Sequence, residues 1–356
     1  MRVISQWPKE QLCLSAERRS EAVKVVEKAF ASALASLKVD IGLVEMFESI
    51  YVPLGTWLYC RKQQQTGPLV IGINGAQGAG KSTLFNLIEV ILSEAFDLKV
   101  VGFSLDDLYK TREERERLAQ EIHPLLLTRG VPGTHDVQLG IDIIRSLKKG
   151  DPKQPTKIPV FDKSIDDRCP SAVWQEWLGP ADIIVFEGWC VGALPQDEAA
   201  LVAPINALES NEDPHGDWRR YVNDQLAGPY QALFDLIDTL IMLKVPSMEA
   251  VFEWRSLQEK KLAERVKYIF DTQQPTDHLR IMDEQEIQRF IQHYERLTRQ
   301  MLIEMPERAD VTLKLNENHK ISEIEINRPL ERTESILLDT AADTSMDEAI
   351  NRIETV

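Results

Sequence analysis

The stretch that most constrains this chain is residues 69–83, LVIGINGAQGAGKST. An apolar, β-branched run through Ile73 stops at Asn74. It gives way to Gly75, Ala76, Gln77, Gly78, Ala79, Gly80, Lys81 and Ser82, which fit G-x-x-x-x-G-K-[ST]. Glycines let the backbone turn tightly, so that successive N–H groups face inward around a phosphate. Four fixed positions are met by chance in roughly one chain in a hundred of this length, and a strand before with an amphipathic helix after narrows that further. Residues Gly75 to Ser82 with Thr83 are therefore read as a nucleotide-phosphate cradle. Lys81 is expected on the β- and γ-phosphates, the Ser82 hydroxyl on Mg²⁺, and the positive end of the following helix at the anion. The competing account is a glycine-rich turn carrying an incidental lysine.

The rest of the chain alternates strands and helices. Residues 17–38 carry Val23, Val26, Phe30, Leu34 and Leu37 on one helical face, and a second helix is expected after Asp40 with a kink at Pro53. Both precede the first strand and are expected to pack outside the core. Strands are expected over 99–104, 182–186, 239–245, 311–315 and 321–326. A capping box at Thr111 and Glu114 opens a charged helix. Residues 196–216 read as a polar excursion, followed by a helix over 218–233 and others over 247–267 and 286–305. This order predicts an α/β, doubly wound P-loop fold with a mostly parallel sheet flanked by helices. The expected division is a helical extension over 1–66, a nucleotide-binding domain over 67–328, and an acidic, disordered tail over 329–356.

In such a sheet ligands sit at the carboxyl ends of the strands. Three apolar strands end in chemistry here: the phosphate cradle, the Asp106–Asp107 pair and Glu187. Phosphoryl transfer needs positioning, charge neutralisation and a group that takes or orients a hydroxyl proton. Asp106 is the candidate base. Asp107 is expected to support it or to hold Mg²⁺ through water, the alternative being that both aspartates cap the next helix. Glu187 suits a carboxylate that binds Mg²⁺ through water. Tyr109, Arg129, His135, Asp162, Lys163 and Arg168 lie on loops that complete the acceptor side. Arg129 either grips a carboxylate bidentately or is a solvated loop residue, and His135 reads as a loop or cap histidine ahead of a catalytic one. Lys163 and Arg168 either bind substrate anions or belong to a charged surface loop. Arg255 is a lid residue over the phosphates or a solvated helix charge.

The net charge of −16 argues against a general nucleic-acid or anionic-membrane binder. Seven acids and two bases of the chain fall within 330–356. The four cysteines (Cys13, Cys60, Cys169, Cys190) show no metal-type spacing, and free thiols in a reducing, cytoplasmic setting are expected. The opening residues, broken by polar side chains and a proline, do not read as a secretory leader, and no apolar run is long enough to span a bilayer.

Taken together and in order, GAQGAGKST, SLDDLY, RGVPGTHD, PVFDKSIDDR, VFEGWCVGA, WRRYVNDQL, WRSLQE and NENHKI resemble the D-glycerate 3-kinase family, within the wider group of uridine kinases, phosphoribulokinases and pantothenate kinases. The resemblance spans about 51–326. It implies ATP and Mg²⁺ as cofactors and D-glycerate as the acceptor. It also implies Asp106 as base, Glu187 as the Mg²⁺-linked carboxylate, Arg255 in the lid helix, and His319 in the segment that covers adenine. Leu108 departs from the phenylalanine usual there. Other acceptors (a nucleoside, pantothenate, another sugar acid) remain open. So does a regulatory nucleotide switch, although N-K-x-D is absent and the nearby D-x-x-G, at 213–216, lies in a polar segment.

Overall fold

The computed structural model describes residues 6–8, 11, 14–37, 41–271 and 282–330. Asp40 and the acidic stretch after Leu330 lie outside the described residues. In chain order the strands are β1 (Leu69–Gly75), β2 (Val100–Ser104), β3 (Thr156–Ile158), β4 (Phe161–Asp162), β5 (Asp167–Arg168), β6 (Gln175–Trp177), β7 (Ile183–Gly188), β8 (Thr239–Lys244), β9 (Val311–Leu315) and β10 (Ile321–Ile326). The α-helices are α1 (Ala16–Leu37), α2 (Val52–Gln63), α3 (Lys81–Phe96), α4 (Arg112–Glu121), α5 (Val137–Lys149), α6 (Glu198–Leu201), α7 (Ala207–Glu212), α8 (Asp217–Gln225), α9 (Gln231–Phe234), α10 (Met248–Asp271) and α11 (Glu284–Glu304).

Six strands form the main sheet in the order β10-β9-β8-β1-β7-β2. All neighbours are parallel except β10, which turns back antiparallel on β9. Strands β1 and β7 are buried along their whole length and β8 up to Lys244, and their residues are mostly apolar because helices cover both faces, as parallel sheets require. Successive side chains point to opposite faces, and the two core clusters divide accordingly. Leu69, Ile71 and Ile73 of β1 join Ile183, Val185, Ile241 and Leu243 under α3. Val70 of β1, with Ile184, Phe186, Leu240 and Met242, faces α5, α9 and the C-terminal half of α11.

The N-terminal helices are not peripheral to this core. Val26 and Phe30 of α1, and Leu54, Trp57 and Leu58 of α2, are buried in the same cluster as the β1 side chains. Pro53 falls where the helical backbone changes character, Val52 N–H donating to Phe47 O across a π turn just before it. The chain runs through a 3₁₀ turn and a π turn to Tyr51, and Pro53 sits in the first turn of α2, where its missing N–H leaves no bond unmade. Cys60 on α2 is disulfide-bonded, whereas Cys169 and Cys190 are free. The expectation of four free thiols is thereby corrected, since spacing along the chain does not report which cysteines meet in space.

The segment 196–216 is also more than an excursion. It contains α6 and α7, and two of its acids lie inside: Glu209 is held by Arg296 through two nitrogens at 2.7 and 2.6 Å, and Asp213 by Arg219 at 2.9 Å. The Asp213 side chain is 1 % exposed and faces the interior, so the D-x-x-G tetrapeptide is a structural corner there.

Candidate active site

Sheet register brings the chemistry to one edge. Glu187 is paired with Ser104 on one side and Ile73 on the other. The carboxyl end of β1 with its cradle, Glu187 on β7, and the Asp106 turn after β2 therefore rise side by side. They open into a cleft of about 570 Å³. Of the residues expected to act, Gln77, Gly78, Gly80, Lys81, Ser82, Thr83, Asp106, Tyr109, Arg129, Lys163, Glu187, Arg255 and His319 line it.

The cradle turns through Gly78 (φ +83°) and Gly80 (φ +90°), left-handed conformations that a side chain would strain. Gly80 is the N-cap of α3, so the first turn of that helix points its free N–H groups into the cleft. Lys81 Nζ donates to Ala76 O at 3.3 Å, laying the ammonium across the loop. Ser82 Oγ donates to Glu187 Oε1 at 2.8 Å, which joins the helix start to the neighbouring strand end.

Asp106 sits in a short 3₁₀ turn, Leu105–Leu108. Its Oδ1 accepts from the Tyr109 hydroxyl and its Oδ2 from Lys163 Nζ, each at 2.6 Å. Burial raises its carboxyl, but the Lys163 charge and hydrogen bond, the Tyr109 hydroxyl and Lys81 outweigh burial and hold it at about 2. Burial raises the Tyr109 phenol well above its usual range and the Asp106 charge adds to this, so that phenol stays a donor.

Asp107 does not face the cleft. Its Oδ2 accepts the Ser104 N–H at 3.0 Å while Ser104 caps the same turn, a reciprocal capping box, so of the two aspartates only Asp107 takes the capping role. Burial, with the Asp106 and Glu187 charges adding to it, pushes the Asp107 carboxyl up to about 6. His135 is 2 % exposed, stacked 4.9 Å behind the Tyr109 ring and bonded through Nδ1 to the Tyr230 hydroxyl at 2.6 Å. It backs the site without lining it. Asp162 ties its own loop by accepting from Ser164 N and Oγ at 2.8 and 2.6 Å. Arg168 fastens that loop to the strand end through Tyr109 O at 2.8 Å and pairs with Asp136, the N-cap of α5. Gly75, Ala76 and Ala79 shape the cradle from behind. Where Gly75 lies, a Cβ would sit 3.0 Å from Leu243 Cβ.

Arg129 reaches the cleft from the RGVPGTHD loop, its guanidinium over the Tyr109 and Phe161 rings and paired with Asp166. The loop is fixed from two elements: Tyr294 Oη on α11 donates to Arg129 O at 2.9 Å, and Trp189 Nε1, just past β7, donates to Gly130 O at 2.7 Å. Gly130 is required there, since a Cβ at its φ of +121° would stand 2.3 Å from the Tyr294 hydroxyl. Tyr294, Phe290, Trp189 and Trp254, with Ser104 and Leu257, complete the lining; Trp189, which reads as a core residue in the sequence, is buried yet reaches the cleft wall. Phe290 and Tyr294 were not singled out from sequence, and their pairing at i, i+4 on one helix face was the available signal. On the far wall Arg255 pairs with Glu259 at 2.8 Å and lies over Phe290, while the His319 and Trp254 rings stack 3.9 Å apart.

The arrangement is a cradle for phosphates beside a carboxylate that neighbouring cations hold low. The family model described as "Phosphoribulokinase / Uridine kinase family" matches residues 70–194. Uncharacterized kinase mug58 of Schizosaccharomyces pombe is 34 % identical over 235 residues, 64 % of this chain and 78 % of that one. The chain belongs to the phosphoribulokinase/uridine kinase family. It is an ATP-dependent phosphotransferase with an alcohol group as acceptor. The chloroplastic D-glycerate 3-kinase of Arabidopsis thaliana is 30 % identical to this kinase over 242 residues, 62 % of this chain. That match covers 50 % of the plant protein. The solved D-glycerate 3-kinase of Cryptococcus neoformans shares the fold at a TM-score of 0.61 and 23 % identity, over 88 % of this chain and 100 % of that one. No described helix is long and apolar enough to cross a membrane.

Proposed function

We propose that this kinase transfers the γ-phosphoryl group of ATP to the 3-hydroxyl of D-glycerate, with Asp106 orienting that hydroxyl and accepting its proton. The observation that carries the reading is the placement of Asp106. It stands in the same cleft as Lys81, and the cations beyond it, Lys163 and Arg129, suit an acidic acceptor. The identity to the plant D-glycerate 3-kinase supports the choice among acids.

A carboxylate held at about 2 is a weak base toward a ground-state alcohol. It acts by fixing the hydroxyl's direction and taking the proton as the oxygen bonds to phosphorus, which suits a loose phosphoryl-transfer transition state. Lys81 neutralises charge on the transferred group, and Arg255 closes over the phosphates from α10. Ser82 and Glu187 present an all-oxygen donor pair, the chemistry that Mg²⁺ prefers. These two residues would hold the ion, which when bound shields the phosphate charge.

The test is Mg²⁺-dependent ADP release with D-glycerate, L-glycerate, uridine and pantothenate, with Asp106→Asn alongside. Stimulation by D-glycerate alone, lost in the variant, supports the proposal. Stimulation by another compound replaces the acceptor.

A further inference from the structure

Arg115 lies in the charged stretch REERERLAQE, yet its side chain is 1 % exposed. Its nitrogens are spent on Lys110 O at 3.3 Å, Leu127 O at 2.8 Å, Asp166 O at 2.6 Å and Asp166 Oδ2 at 3.0 Å. A cation buried this way and bonded on every side is fixed in place. It holds Asp166 by both its backbone and its carboxylate. Asp166 is itself in the left-handed region (φ +56°), a conformation that aspartate and asparagine tolerate and that costs most other residues energy. Its other carboxylate oxygen, Oδ1, is the one on Arg129 Nη1.

Only one nitrogen of the Arg129 fork is engaged by Asp166, and among the described residues Asp166 is the sole ion-pair partner of Arg129. The guanidinium also rests on two aromatic rings, with its carbon 5.6 Å from the Phe161 centroid and 6.0 Å from that of Tyr109. The remaining donors are free to meet a planar anion in the cleft. Charge counting agrees. Lys163 and Asp106 cancel, Arg168 and Asp136 cancel, and Arg115, Asp166 and Arg129 together leave one positive charge, carried by the member that lines the cleft.

We infer that Asp166, anchored by Arg115, is a positioning residue that aims Arg129 at the carboxylate of the acceptor. This rests on the acid-acceptor reading above. It extends that reading to how the acceptor carboxylate is met, and to a residue outside the cleft lining.

The experiment is steady-state kinetics of Asp166→Asn, which keeps the left-handed backbone and removes the charge. Asp166→Gly serves as a second variant, since glycine accepts the same φ. Both are read in the wild-type and the Arg129→Gln backgrounds. The KM for D-glycerate is expected to rise tenfold or more in either variant, with kcat and the KM for ATP within about twofold. In the Arg129→Gln background the same change is expected to alter the KM less than twofold. An unchanged KM in a folded Asp166 variant, with Arg129→Gln still raising it, overturns the inference and leaves the acceptor reading standing. An equal KM rise in both backgrounds also overturns it. A wild-type enzyme that phosphorylates only uncharged acceptors overturns both readings.

Discussion

At the residue scale the site turns on what holds Asp106 ionised. Burial alone would raise its carboxyl, and Lys163 is the largest of the groups that pull it down to about 2. The wild-type enzyme should therefore show no acid limb from Asp106 anywhere in the usual assay range. Lys163→Met should let the carboxyl rise and bring a new acid limb into the pH profile of kcat/KM, whatever it does to the absolute rate. A profile measured from pH 5 to 9 reads this directly, and a profile of unchanged shape would mean Lys163 does not govern the carboxylate. Asp106→Asn should lower kcat by roughly 10²- to 10⁴-fold with nucleotide binding retained, as measured by titration. Asp106 was legible from sequence because an apolar strand ends two residues before it. The distinction between Asp106 and Asp107 was not, because it depends on which carboxylate folds back onto Ser104 N–H. The role of Arg115 was hidden for a similar reason. In a run of charged residues nothing marks the one whose partner, Asp166, is 51 positions away.

At the element scale, the parallel strands were readable because burial on both faces writes long apolar runs, and the hairpin of β9 and β10 because Asn316 to His319 separate one such run from the alternating Ile321–Ile326. The segment 196–216 misled because its polarity is turned inward. Glu209 is fully buried against Arg296, which also donates to Ala200 O and Ala203 O at 2.7 Å, so α11 clamps α6 and α7 to the sheet. Removing one partner of a buried pair strands the other charge. Arg296→Ala should thus cost about 3–5 kcal/mol in urea unfolding. The exposed Arg289–Glu212 pair joins the same helices with side chains 48 % and 41 % accessible. Breaking it by Arg289→Ala should change stability by less than about 1 kcal/mol. Equal losses in the two variants would show that helix docking, and not the buried ion pair, carries the energy. The same clamp positions Tyr294, and through it the Arg129 loop, so Arg296→Ala should also raise the acceptor KM.

At the scale of the whole molecule, two buried histidines set how stability responds to acid. Burial lowers His135 to about 3 and His293 to about 4, and they are 2 % and 5 % exposed. In the unfolded chain each takes up a proton near pH 6.5, and in the fold neither does until far lower. Between about pH 6.5 and pH 4 the unfolded state therefore binds more protons, and stability falls as pH falls. At pH 5.5 each histidine contributes about 1.4 kcal/mol of that loss. Asp107 acts the other way. Its carboxyl, raised to about 6, takes up a proton in the fold before it does in the unfolded chain, so it adds stability as pH drops from about 6 to about 4. The raw change between pH 7.5 and 5.5 mixes these opposing effects, but the difference between wild type and a histidine variant does not, since Asp107 is common to both. His135→Gln keeps a neutral acceptor for the Tyr230 hydroxyl and removes one titrating group. The stability it loses on going from pH 7.5 to 5.5, from urea midpoints without nucleotide, should be smaller than the wild-type loss by about 1.4 kcal/mol. His293→Gln should show a similar reduction, and the double variant the sum, because the two rings lie on different elements and share no partner. If His135→Gln instead shows the wild-type loss in full, its imidazole is protonated inside the fold, and the ring behind Tyr109 would carry a charge into the site.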